Sequence, residues 1–244
     1  MRFRLIILSL FAVRCSSDPV QNKDTSPSVV RTTNSEQRTA NNGLIQFPIV
    51  DDNLHHDTLA IQVTFDMLDG SYLMVASHME ETFEGLRLYR YRFNADSSVH
   101  LLAVSPPAYD SWTMLPTFFR TDTTSTALWI LANFGEKQSW GQKLLRLDHD
   151  LSDMGFIDAA LPTRVVERDT AYLKRENIAP FAHITEVNDT LILTFTCDSV
   201  YLYDDQNGHT DLVLPSTLVR YTYHPSEGLA LWAHGRKMLV KKPS

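Results

Sequence analysis

Cysteine is nearly missing from this chain: two in 244 residues, Cys15 and Cys197. That argues against a disulfide framework and against a zinc centre of closely spaced thiols. Cys197 lies within an apolar run and reads as a small buried hydrophobe rather than a nucleophile, which would need a matched histidine in a polar setting. Excess positive charge is missing too. The formal net charge is −7, and an acidic protein is repelled by nucleic acid and by an anionic membrane surface. There is no Gly-x-Ser-x-Gly elbow, no phosphate-binding loop, no Gly-x-Gly-x-x-Gly and no His-Glu-x-x-His, so the familiar hydrolase, nucleotide and metalloprotease signatures are excluded. Nine histidines are present, but none shows metal-ligand spacing. His55 and His56 are adjacent and would point to opposite faces of a strand, and His78-Met-Glu-Glu81 reads as a solvated turn. No cofactor and no metal are expected.

Long apolar runs are confined to the N-terminus. Met1-Arg-Phe-Arg4 supplies positive charge, and Leu5 to Val13 (LIILSLFAV) supplies nine apolar or small residues, the layout of a secretory signal. As a helix that stretch rises only about 13 Å, against a hydrocarbon core of about 30 Å. No other stretch approaches that length, so no transmembrane helix is expected in the mature chain. The run ends at Ala12-Val-Arg-Cys15, followed by Ser16-Ser17-Asp18. This resembles a bacterial lipoprotein processing site. The resemblance implies a signal over residues 1–15, lipidation of Cys15, and a periplasmic or outer-membrane-anchored protein held to the membrane only by its lipid. Arg14 departs from the pattern, which has a small residue there, so a plain cleaved signal and secretion, or a buried N-terminal strand, stay as alternatives. Residues 16–43 carry almost no large apolar side chains. They cannot bury enough surface to offset their ordering entropy and read as a flexible tether.

The remainder, residues 44–244, reads as one all-β domain of repeated units. Leu88-Tyr-Arg-Tyr91, Leu144-Leu-Arg-Leu147 and Val200-Tyr-Leu-Tyr203 recur at a spacing of 56 residues. Each precedes a polar turn and a short apolar strand: Val99 to Val104, Phe156 to Leu161, Asp211 to Leu214. Two further strands precede each: Leu59 to Phe65 and Tyr72 to Ser77, then Met114 to Arg120 and Ala127 to Phe134, then Phe181 to Val187 and Leu191 to Thr196. The runs are rich in the β-branched and aromatic residues that half-buried pleats favour. A fourth unit, with Leu218 to Tyr223, Leu229 to Ala233 and Met238 to Lys241, stops one strand short, and residues 44–49 (LIQFPI) would supply it. The units resemble propeller blades, which implies a four-bladed β-propeller closed by pairing of its N- and C-terminal strands. A β-sandwich or an open β-meander is the alternative. Thr163 to Asn177 breaks the pattern and is expected to be a loop or short helix. Asn188-Asp-Thr190 is a glycan sequon at a predicted tight turn.

Loops at the ends of such a fold are the expected place for function. Tyr109-Asp-Ser-Trp112 joins the first two units. Gly135-Glu-Lys-Gln-Ser-Trp-Gly141 reads as an insertion tipped by Trp140. Tyrosine and tryptophan are frequent hot-spot residues, so Tyr109, Trp112, Glu136 and Trp140 are the candidate contacts for a protein partner. The leading expectation is a non-catalytic cell-envelope binding protein, in one version a periplasmic immunity protein. A secreted glycan hydrolase is the second, needing paired carboxylates roughly 5 to 10 Å apart drawn from Asp66, Asp69, Glu80, Glu81, Asp110, Glu136 and Asp198. A structural envelope lipoprotein is the third.

Overall fold

In the computed structural model the described residues are 43–51, 58–80, 85–107, 113–121, 127–136, 139–203 and 212–242, the side chains of Glu136 and Ser139 excepted, all within the unit Gln37–Ser244. The signal, Cys15 and the tether as far as residue 42 lie outside them. The stretch LIQFPI does not form one strand. Pro48 has no N–H to give a ladder, and the run breaks into β1 (Leu44–Ile45) and β2 (Ile49–Val50). Between them Phe47 turns inward and meets the Phe118 ring edge-on at 5.0 Å.

The first sheet is a sequence-ordered meander: β2, then β3 (Leu59–Asp66), β4 (Tyr72–His78), β5 (Arg87–Phe93) and β6 (Val99–Val104). The second is built from β7 (Thr113–Phe119), β8 (Leu128–Glu136), β9 (Ser139–Leu147) and β10 (Leu151–Ile157), with β1 added beside β7. Leu44 pairs with Phe119 and Ile45 with Phe118, while Ile49 pairs with Phe65 and Val50 with Thr64. The N-terminal segment therefore stitches the first two sheets together. Pairing of this segment with Met238 to Lys241 is not formed, which corrects the expected closure of a ring by the chain ends.

The second half departs further from a simple repeat. β11 (Ala159–Glu167) and β12 (Thr170–Glu176) form a hairpin where a loop or helix was expected. Its two-residue turn, Arg168-Asp169, has positive φ at both positions, 48° and 67°. That is the turn geometry whose twist matches the flanking strands. Asn188-Asp189 (50° and 59°) makes the same turn between β13 (Ala182–Val187) and β14 (Thr190–Phe195), as expected there. His234-Gly235 does so between β18 (Gly228–Ala233) and β19 (Arg236–Lys241). The remaining strands are β15 (Ser199–Leu202), β16 (Leu212–Pro215) and β17 (Val219–His224). The third sheet has the order β12-β11-β15-β16 and the fourth β13-β14-β17-β18-β19. The expected third unit, β13 to β16, is thus divided between two sheets. Hairpin turns fix only neighbouring partners; β11 with β15 and β14 with β17 are non-local pairings.

The second sheet is buried on both faces, and the two-residue period decides which side chain goes where. Phe118, Leu128, Ile130 and Leu145 face the first sheet, against Leu73, Val75 and Leu88. Phe119, Trp129, Leu131 and Leu144 face the other way, against Ile184, Leu193 and Tyr221 of the fourth sheet and Ala159, Val200 and Leu214 of the third. Phe118 and Phe119 are 3% and 0% exposed, and burying each contributes about 2–3 kcal/mol. A polar clamp adds to the first seam. The Arg90 guanidinium donates to Asp69 Oδ2 (2.8 Å), Ser71 Oγ (3.1 Å) and the Asp148 carbonyl (3.1 Å), so a side chain of the first sheet reaches the β9–β10 turn. Among the described residues there is no α-helix, and no helix long and apolar enough to cross a membrane.

Candidate functional site

Trp140 lies not at the tip of a loop but inside β9, directly across the ladder from Gly135. β8 and β9 stay in register as far as the Glu136↔Ser139 pair. The indole ring covers Gly135: a Cβ there would come 2.7 Å from Trp140 Cε2 and Cε3. Only glycine leaves room, so the half-buried ring is held in one pose with part of its surface open to solvent.

The next residue is again glycine. A Cβ on Gly141 would lie 3.0 Å from Tyr203 Oη and 3.1 Å from the Phe134 ring. Tyr203, just beyond β15, enters that space, and its hydroxyl donates to the Trp140 carbonyl. On the ring of Tyr203 lies the Arg175 guanidinium, 4.3 Å from the centroid. Arg175 belongs to β12, so the far end of the second sheet is joined to the hairpin of the third by an aromatic–cation contact. Only Ala159 and Ala160 of β11 pair with β15. Beyond them β11 and β12 continue as a two-stranded ribbon in register from Leu161↔Glu176 to Glu167↔Thr170. An isolated ribbon is marginal in water; here Arg175 on Tyr203 anchors its base. Its outer part exposes Val166 (64%) and Leu173 (45%).

Of the four expected contact residues, Tyr109 and Trp112 lie outside the described residues, and Glu136 is described only as the last residue of β8. The residues flanking the Tyr109–Trp112 segment are informative. Lys143 Nζ donates to the Pro107 carbonyl at 2.8 Å, and Thr113 pairs with Gly135. Thr113 is thus beside the Gly135–Trp140 pair, and Pro107 is held by Lys143 further along the same sheet. Arg175, Tyr203 and the ribbon were missed from sequence. The available signal was Arg168-Asp169 between two runs of strand-forming residues, Val165-Val166 and Ala171-Tyr-Leu173.

Of the expected chemical residues, Asp66 and Asp69 have their carboxylates engaged, while Asp198 and Glu80 are held through their backbones. Partial burial pushes the Asp69 carboxyl up, but hydrogen bonds from the Ser71 hydroxyl and N–H and from Arg90 outweigh it and hold it below the ordinary carboxylate range. A group held ionised in this way is a poor general acid. Asp66 Oδ1 accepts the Leu68 N–H at 2.8 Å, and the Asp198 carbonyl accepts the Ser216 N–H. Glu80 donates its N–H to His78 Nδ1 within the same turn; Glu81, Asp110, His55 and His56 lie outside the described residues. Burial raises the Cys197 thiol, which donates to the Ser199 carbonyl at 3.3 Å, and a raised thiol is a weak nucleophile. Among the described residues no group of three or more His, Cys, Asp or Glu side chains is placed to hold a metal ion. Comparison with protein-family models, with curated proteins and with solved structures returns no match for this chain.

Proposed function

We propose that this is an exported, non-catalytic binding protein of the cell envelope that recognises a protein partner through the Trp140 end of its second sheet and the adjoining β11–β12 ribbon. One observation carries the reading. A partly buried tryptophan lies over Gly135 and is backed by Tyr203 and Arg175, while the neighbouring ribbon holds Val166 and Leu173 in solvent. Tryptophan, tyrosine and arginine are the residue types enriched at interface hot spots, and a preformed surface loses little entropy on binding. The acidic balance and the ionised, hydrogen-bonded Asp69 support binding rather than acid–base chemistry. The stacking of the second sheet between the first and the other two supports a propeller-like arrangement of blades. The lipoprotein-like segment ending at Cys15 supports anchoring at the envelope.

The test is photo-crosslinking in an envelope extract, with a diazirine amino acid at Val166 and, separately, at Thr58 on the first sheet as control. A single protein crosslinked from position 166 and not from 58 is the expected result. Its affinity should fall about thirtyfold in Trp140→Ala or Arg175→Ala, the scale of a hot-spot truncation. Equal labelling from both positions, or unchanged affinity in both folded variants, refutes the assignment.

A further inference from the structure

The outer strand of the fourth sheet, β19, differs from the other sheet edges. Arg236 to Val240 are all exposed, and the consecutive Met238, Leu239 and Val240 are 48%, 54% and 38% exposed. Consecutive residues point to opposite faces, so apolar side chains stand in solvent on both faces of this strand. Three other edges are less open, while β12 and β13 also stand outermost in their sheets among the described residues. β16 is four residues long and ends at Pro215. The Gly155 bulge of β10 lies against Leu229 and Lys241. β6 exposes Val99 and Leu101 but turns Ala103 into the core. Among the described residues β19 pairs only with β18, with a register shift beside Val240, so alternate residues from Arg236 to Leu239 offer outward N–H and C=O groups to another strand.

Charge selects the occupant. This acidic chain places Arg236, Lys237, Lys241 and Lys242 within seven residues. Lys237 is engaged by Glu227 and lies over the Trp232 ring, and Lys241 is paired with Asp153. Arg236 and Lys242 have no ion pair among the described residues. They bracket the apolar centre six residues apart in sequence, Lys242 lying just beyond β19. A second copy pairing antiparallel with β19 about its centre would bring Arg236 opposite the lysines of the other copy, and like charges directly opposed are destabilising. The same cations attract carboxylates at that spacing.

We propose that β19 is a strand-addition site for an extended acidic segment of another protein, apolar at its centre and carrying a carboxylate at each end. This surface is separate from the Trp140 end, and neither assignment depends on the other.

The experiment is fluorescence anisotropy at low ionic strength with a labelled peptide of six alternating valine and threonine residues and two aspartates at each end. The same peptide with terminal lysines, and an aspartate peptide N-methylated at alternate amides, are the comparisons. The acidic peptide should bind, the lysine peptide should bind about tenfold more weakly, and N-methylation should abolish binding, since two exposed ion pairs are each worth a few-fold. The double variant Arg236→Glu with Lys242→Glu, both exposed and checked for fold by circular dichroism, should invert the preference. The proposal is overturned if both peptides bind alike, if neither binds at millimolar concentration, or if binding survives N-methylation. Self-association in sedimentation that Leu239→Lys removes would assign the strand to a second copy and would equally overturn it.

Discussion

At Gly155 the second sheet packs closely on the fourth, and its replacement by alanine gives a stability change that can be worked out in two parts. The residue sits at a bulge in β10 with φ of +131°, a conformation that costs an L-residue about 1–2 kcal/mol. A Cβ there would lie 2.8 Å from Leu229 Cδ2 and 3.2 Å from Lys241 Cβ. Leu229 is fully buried, so it cannot swing into solvent, and the overpacking adds about 1–2 kcal/mol. Gly155→Ala should therefore destabilise by about 2–4 kcal/mol, a fall in Tm of about 5–15 °C for a domain of this size. Gly70 separates the two parts: its φ is +81°, with nothing within 4 Å of a Cβ, so Gly70→Ala carries only the backbone strain. The assay is urea denaturation of both variants, read as a midpoint shift at constant m-value. Equal destabilisation by the two substitutions would show that the sheets do not meet at Gly155 as described.

Gln142 is fully buried and neither of its amide atoms has a partner; Gln142→Met keeps the volume, removes the unsatisfied polar atoms, and should raise stability by about 1 kcal/mol in the same denaturation assay. Its cross-strand neighbour Asn133 instead donates to the Leu115 and Leu131 carbonyls and to Thr117 Oγ1, so Asn133→Leu should cost about 1–3 kcal/mol. Asp69 titrates lower in the folded protein than its ordinary 3.8. Its bonds to Arg90 and Ser71 thus stabilise the fold above about pH 4 and are lost as pH falls through the folded value. Because the pair is half exposed, the loss is about 0.5–1 kcal/mol, and denaturation series from pH 6 to pH 2.5 should show it in the wild type and not in Asp69→Asn. At the β11–β12 turn, the double substitution Arg168→Asn with Asp169→Gly suits the positive φ angles and should stabilise by about 1 kcal/mol, seen as greater amide-exchange protection along the ribbon.

Strand positions were largely readable because the period-two pattern is a local property. Leu59 to Phe65, Tyr72 to Ser77 and Val99 to Val104 fall on β3, β4 and β6. The predicted strand Phe156 to Leu161 fails for a local reason: it straddles the break at Asp158 between β10 and β11. Pairing was not readable beyond neighbours. Nothing in Leu191 to Thr196 announces that its second partner is Val219–His224 rather than the strand that follows it, since either would bury Leu191 and Leu193. The ribbon was obscured by its charges. Arg164, Glu167, Lys174 and Arg175 looked like a solvated loop because the hairpin has only one other strand beside its base. For the site, Trp140 was singled out from sequence as an aromatic contact, but its place in the fold depended on Gly135 across the ladder. Arg175 and Tyr203 reach it only through the non-local β11–β15 pairing.

That pairing has a kinetic consequence. Between Ala159–Ala160 and the Tyr201–Leu202 they meet, the chain lays down a complete hairpin, β13–β14, that belongs to a different sheet and itself waits for β17. In the first half β3 to β6 and then β7 to β10 are each laid down in sheet order, so within each sheet a strand can zip onto the one before it, and contacts close in sequence favour speed. The second half is cross-stitched: neither of its sheets is complete until residues beyond 212 are in place, and each traps a segment of the other's path. Refolding should therefore begin in residues 58–157, with the last two sheets locking together in one slower event.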